Sequence, residues 1–206
     1  MLMRFRPSIW YLPVIALFGS ALPLTALAQG TRLQPPAADL VASCESCHAP
    51  AAQAVSHAPR LNGQTREYLL ARLKDLRNPT SQTISAIHNM LDPARSVSAA
   101  QMNALADHFA SQAPSEPNRK GPAHDRGAQL FARGRGELIP PCAGCHGDKG
   151  QGIGEAARLA GQHAQYLQDQ LDALMIAARV QGSMNKHVWT LNPEDVRALA
   201  VYLGND

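Results

Sequence analysis

Four cysteines are the whole supply in 206 residues, and they stand in two close pairs, each followed at once by histidine: Cys44-Glu45-Ser46-Cys47-His48 and Cys142-Ala143-Gly144-Cys145-His146. A Cys-x-x-Cys pair alone suits a zinc half-site, a redox dithiol, a disulfide or the attachment of a c-type heme. The histidine narrows the choice, because two thioethers fix the vinyl edge of a porphyrin while the adjacent His48 or His146 reaches the iron from the proximal side. Zinc on Cys44, Cys47, Cys142 and Cys145 is a sterically legal alternative, but it leaves both histidines unexplained and pools two sites into one. A thioredoxin-like dithiol or a disulfide within each pair lacks the strand-helix-strand context. The expected cofactor is two covalently bound hemes c.

A low-spin carrier needs an axial group opposite each histidine, and thioether sulfur favours ferrous iron. Past residue 28 the methionines are Met90, Met102, Met175 and Met184. Met90 and Met184 lie 42 and 38 residues beyond His48 and His146, ahead of the last helix of each copy, and are the axial candidates. Met102 falls inside a helix and reads as core, and Met175 continues the apolar face of Leu171 and Leu174. His88, two residues from Met90, competes for the first iron, and His187 competes for the second. His57, His108, His124 and His163 read as surface or helix residues. No residue is assigned a catalytic role.

The chain repeats itself. An offset of 98 superposes the two cysteine motifs, Arg60-Leu61-Asn62-Gly63-Gln64 on Arg158-Leu159-Ala160-Gly161-Gln162, and Tyr68-Leu69 on Tyr166-Leu167. After a four-residue length difference, Met90 falls on Met184 and Ala104-Leu105-Ala106 on Ala198-Leu199-Ala200. A linker is expected between residues 112 and 125, rich in proline and glycine, with the boundary near 120. Helical spacing predicts helices over 39–47, 65–76 and 99–111 in copy one, and over 125–145, 163–178 and 194–203 in copy two. Gly134-Arg135-Gly136 breaks the regularity of the fourth. Ser98 and Asn192 are the expected N-caps of the closing helices, and Pro193 fits the first turn after Asn192. Met184 is read in a loop between Gln181-Gly182-Ser183 and Asn185-Lys186. Gly63-Gln64 and Gly161-Gln162 read as turns into the following helices that help close a heme crevice. No strand-like alternation competes.

Composition agrees. Only 5% of residues are aromatic, a thin core unless a large apolar cofactor fills each copy. With 19 basic against 16 acidic residues and no basic block, nucleic acid is a poor partner. Residues 1–28 read as a signal peptide: Arg4 and Arg6, an apolar stretch, and Ala26-Leu27-Ala28 before Gln29, with a retained membrane anchor as the rival. Removing Arg4 and Arg6 leaves 17 basic and 16 acidic residues.

The two cysteine-histidine motifs, Arg-Leu-x-Gly-Gln with its Tyr-Leu helix, Met184-Asn185 and the closing Ala200-Val201-Tyr202 together resemble the diheme class I cytochromes c of the c4 type over 39–203. Copy one departs from the pattern with Ala49 after the heme histidine and Asn89-Met90-Leu91 in place of Met-Asn. The resemblance implies an all-α fold of two tandem class I cytochrome c domains, 29–120 with the linker and 121–206, each wrapped around one covalently attached heme. It implies His and Met ligands on each iron, and a proline carbonyl orienting the proximal histidine. Pro59 suits that role, while copy two has Ala157 in its place.

The implied function is a periplasmic carrier moving electrons by outer-sphere transfer to a membrane-bound terminal oxidase or another acceptor, with no small-molecule substrate. This reading admits peripheral association with a membrane. One alternative is a dedicated subunit of a flavoprotein sulfide dehydrogenase or a quinoprotein dehydrogenase. Another is a heme enzyme, peroxidase-like or oxidising a sulfur anion, which would require an open or labile sixth position.

Overall fold

Apolar residues at helical spacing and side-chain caps set the elements, and the computed structural model describes residues 38–50, 58–78, 88–118, 121–176 and 183–205. The signal segment 1–28, Gln29, His57, the side chain of His88, the boundary at 120, Ala178 and Gln181-Gly182 lie outside the described residues. The first repeat contains α1 (Ala38–His48), α2 (Arg66–Arg77), α3 (His88–Ser96) and α4 (Ala99–Ser111). The second contains α5 (Pro122–Arg133), α6 (Ala143–His146), α7 (Ala164–Met175), α8 (Met184–Val188) and α9 (Pro193–Leu203). Among the described residues there is no strand, only isolated bridges such as Arg135 to Ile139, so the fold is all-α.

The closing helices start where their caps require. Ser98 accepts from the Gln101 N–H while the Gln101 side chain accepts from the Ser98 N–H, and Asn192 and Asp195 do the same for α9. The single helix expected over 125–145 is two. At Gly134 (φ +66°) the chain turns so that the Arg135 N–H meets the Ile139 carbonyl at 2.7 Å, and the helix resumes only at Ala143. In the first repeat α1 runs unbroken through the cysteine pair. The helix expected from His163 begins one residue later, with His163 as its N-cap. Two helices escaped the pattern. α3 carries Pro93 in its interior, and α8 has five residues, too few for periodicity to register, so Met184 opens a helix rather than riding in a loop.

Each repeat has its own core. In the first, Leu69, Val97, Met102, Leu105 and Phe109 pack with Leu40, Val41 and Cys44 of α1. In the second, Phe131, Leu167, Leu174, Leu199 and Tyr202 pack with Cys142 and Met184. The core reading of Met102 holds, with the side chain 3% exposed. α5 and α9 approach so closely at Gly127 that a Cβ there would strike the Ala198 carbonyl and Tyr202 Cβ.

Asp195 is buried at the start of α9, where Arg126 (2.8 Å) and Arg135 (2.8 Å) both reach it from half-exposed positions. Burial pushes its carboxyl up, but the Arg126 hydrogen bond, the Asn192 N–H and Arg135 together hold it below the ordinary value. A carboxyl depressed in the native state adds stability above its unfolded pKa and loses it as pH falls through the native one.

Two outcomes follow from this packing. Gly127→Val should destabilise the holo-protein by about 2–3 kcal/mol in denaturant unfolding followed by far-ultraviolet circular dichroism, because the crossing must open. Asp195→Asn should cost about 1–2 kcal/mol at pH 7, a deficit that closes as pH falls below the native pKa of Asp195; unfolding curves at both pH values measure it.

Candidate functional site

The two cysteine-histidine motifs sit on helices, so one turn carries each second cysteine and its histidine to the side of the first cysteine. In α6 the His146 N–H donates to the Cys142 carbonyl at 2.9 Å, and the Gly147 N–H to Ala143 at 2.9 Å. Cys44 and Cys142 are partly buried against their cores, and Cys47 and Cys145 are exposed. The cysteines of each pair are not bonded to one another. Among the described residues no three His, Cys, Asp or Glu side chains converge as a metal cage. Burial pushes the Cys142 thiol up to about 11, and burial followed by the Glu45 carboxylate pushes Cys44 up. Reactive dithiols need the opposite environment, one that stabilises thiolate.

The histidines carry the clearest geometry. His48 Nδ1 lies 2.7 Å from the Pro59 carbonyl, and His146 Nδ1 lies 2.8 Å from the Ala157 carbonyl. A carbonyl can only accept, so Nδ1 carries the proton and Nε2 keeps its lone pair. Both rings are buried, and that burial pulls them below the ordinary histidine value against the opposing effect of the hydrogen bond. They are therefore neutral rings with a fixed tautomer and a free Nε2 lone pair, an arrangement that suits the proximal side of a heme iron. The proline at position 59 is dispensable to this arrangement. Any residue has a carbonyl, and Ala157 supplies it in the second repeat.

Neighbouring side chains hold the motif helices in place. Glu45, between the cysteines of the first motif, accepts from Gln112 Nε2 at 3.0 Å and pairs with His108 Nε2 at 3.1 Å, tying α1 to α4. Those hydrogen bonds, His108 first, hold the Glu45 carboxyl below its usual range. His108 thus has a structural role. His124 packs at 5.1 Å from the Tyr202 ring, and His163 is buried rather than exposed. Met184 opens α8, half-buried against the core that includes Cys142, and Asn185 ties that turn to α7 by donating to the Leu174 carbonyl at 2.7 Å. Met90 is half-buried on α3. Tyr68 and Tyr166 are half-buried on α2 and α7.

Sequence reading missed the role of Gln64 and Gln162. Both side chains are buried, 5% and 6% exposed, and each crosses to the other repeat. Gln64 Nε2 donates to the Arg158 carbonyl at 3.0 Å while its Oε1 accepts the Arg158 N–H at 2.5 Å. Gln162 Nε2 donates to the Arg60 carbonyl at 3.0 Å while its Oε1 accepts the Arg60 N–H at 2.8 Å. Arg60 Nη1 adds a bond to the Gly161 carbonyl, and Thr65 Oγ1 one to Gly154. The linker closes over this seam. Asn62 Nδ2 donates to the Ala113 carbonyl, and Pro114 and Ser115 press so closely on Gly63 (φ +66°) and Gly161 (φ +78°) that a Cβ at either would collide. The signal that marks these residues in sequence is Arg-Leu-x-Gly-Gln occurring twice at one offset, a pattern that two copies packing about a twofold would use reciprocally.

The Cytochrome c family profile matches residues 124–205. Cytochrome c4 of Azotobacter vinelandii is 30% identical over 178 residues, covering 79% of this chain and 83% of that protein. The thiosulfate dehydrogenase electron acceptor of Stutzerimonas stutzeri is 35% identical over 176 residues, covering 79% and 78%. Cytochrome c-552 of Acidithiobacillus ferridurans is 33% identical over 150 residues, covering 71% of this chain and 65% of that protein, slightly under two thirds of its length. The solved cytochrome c4 of Acidithiobacillus ferrooxidans superposes with a TM-score of 0.72 at 30% identity, covering 79% of this chain and 98% of that one.

Replacing Cys44 and Cys47 together by alanine should halve the heme that survives acidic extraction, and replacing all four cysteines should abolish it. Pyridine hemochrome spectra per mole of chain read the ratio. Zinc bound in place of heme would contradict this outcome.

Proposed function

The chain belongs to the cytochrome c4 family of diheme class I cytochromes c, carries covalently bound heme c and transfers electrons; from that premise we propose a periplasmic shuttle that delivers electrons to a terminal oxidase. The observation that carries this reading is the duplicated histidine geometry, a neutral ring fixed through Nδ1 in both repeats. Cys44, Cys47, Cys142 and Cys145 would hold the porphyrins through thioethers, and His48 and His146 would ligate the irons through Nε2. Met90 and Met184 would each supply the second side-chain ligand to an iron.

Bound heme c supplies a one-electron iron couple. The protein's part is to keep that couple dry and rigid. His48 and His146 keep the same tautomer in both redox states because their Nδ1 protons are committed to carbonyls. Glu45 and Asn185 restrain the helices on which ligands sit, so little rearranges when charge changes. With Met90 and Met184 as well as His48 and His146 committed to the irons, no position would be left for a substrate, and the chain would act as a carrier. No helix among the described residues is long and apolar enough to cross a membrane. The two repeats differ in charge: residues 29–120 hold nine basic and seven acidic side chains and residues 121–206 eight and nine, which gives the two ends different docking preferences.

A second reading concerns the donor. The 35% identity to a thiosulfate dehydrogenase electron acceptor supports reduction of this chain by a sulfur-compound dehydrogenase, as its free acceptor or as a dedicated subunit. Co-purification at fixed stoichiometry distinguishes the subunit from the shuttle.

The axial assignment is tested by the weak far-red absorption of sulfur-ligated ferric heme. The oxidised protein should show two equivalents of it per chain, with Met90→Ala removing one and Met184→Ala the other. One equivalent, insensitive to Met90→Ala, would transfer the first iron to His88.

A further inference from the structure

We propose that each repeat sets the ligand strength of the other repeat's proximal histidine through a single peptide unit. This inference rests on His48 and His146 being the iron ligands. The carbonyl that holds His48 belongs to Pro59, and the N–H of that same peptide group is the Arg60 N–H, which donates to Gln162 Oε1 at 2.8 Å. The mirror arrangement runs from His146 to the Ala157 carbonyl, through its peptide group to the Arg158 N–H, and on to Gln64 Oε1. Both peptide units are trans, so within each the carbonyl points to the histidine of its own repeat and the N–H points away, to the glutamine of the other.

The chemistry of this alignment is directional. An acceptor on the N–H side of a peptide pulls electron density toward its carbonyl oxygen, and hydrogen bonds in such a chain strengthen one another. A more negative Pro59 oxygen draws the Nδ1 proton of His48 more strongly, which makes Nε2 a better donor and favours ferric iron. The glutamine amides are well placed to do this. Each is buried, each Oε1 also accepts the N–H of the next residue (Thr65 or His163, both 3.0 Å), and each Nε2 donates to the arginine carbonyl one peptide further on. A flipped amide would face N–H groups with its NH₂, so the network fixes which atom is the oxygen. The void left among these side chains is about 10 Å³, room for at most one water to replace a lost acceptor. Gln64 and Gln162 are thus positioning residues that act across the seam.

The test is crosswise. In Gln162→Leu, the His48 Nδ1–H resonance of the fully reduced, diamagnetic protein should move upfield. The first heme's potential should rise, by roughly two- to fourfold in its ferrous/ferric ratio at fixed ambient potential. Heme-methyl resonances followed through a redox titration resolve the two hemes. The second heme should stay unchanged, and Gln64→Leu should give the mirror result. Gln162→Glu, which keeps an acceptor for the Arg60 N–H while giving up the bond to the Arg60 carbonyl, should return the first potential to or below the wild-type value, and it decides the matter alone if the leucine variant does not mature. A shift in the heme of the repeat that carries the substitution, or no shift in either, overturns the proposal. Absence of ring-current-shifted His48 and His146 signals in the wild-type protein would instead overturn the ligand assignment beneath it.

Discussion

The constraint on which the structure turns is the hydrogen bond from each buried histidine Nδ1 to a backbone carbonyl. Without it the ring is free to present either nitrogen, and burial alone favours only neutrality, not a tautomer. With it, the segment that supplies the carbonyl must be held rigidly about eleven residues downstream, and the rest of the fold answers that need. The linker packs on Gly63 and Gly161, Asn62 hooks the linker backbone, and the opposite repeat's glutamine grips the next residue's N–H and carbonyl. The histidine anchor and the interface between repeats are one assembly.

This assembly accounts for a chain with so few large aromatic residues. Each repeat keeps a modest helical core, and the polar seam is ordered by the Gln64 and Gln162 amides, which pair with backbone groups of the opposite repeat. The repeats are not equivalent in their supports. The second gains a close crossing of its first and last helices at Gly127 and a buried Asp195 cap held by two arginines, whereas the first ties its motif helix to α4 through Glu45, His108 and Gln112. His108 of the first repeat occupies the position of Tyr202 in the second. The same place in the fold is thus filled by a polar tie in one copy and by an aromatic contact in the other.

Much of this was legible in the residues. The cysteine-histidine pairs, the internal repeat and the capped closing helices follow from local rules, and α4 and α9 begin at or within one residue of where Ser98 and Asn192 place them. The helix across 125–145 was overextended: Gly134-Arg135-Gly136 marks an interruption in the spacing, and the backbone turns there with Gly134 at positive φ, so the helix ends instead of continuing to the cysteine pair. α8 was missed because five residues hold barely more than one turn. The interface was missed for a deeper reason: a glutamine after a turn looks alike whether it caps its own helix or reaches another domain, and only the three-dimensional pairing of Gln64 with Arg158 and of Gln162 with Arg60 distinguishes the two.

The central claim is that both irons are closed by side chains and the chain only carries electrons. Carbon monoxide added to the fully reduced native protein tests it most directly, because ferrous heme binds the gas only where the sixth position is open or readily vacated. The account predicts an unchanged spectrum for both hemes. Rapid binding at one heme per chain would contradict it and would make that heme a site of chemistry.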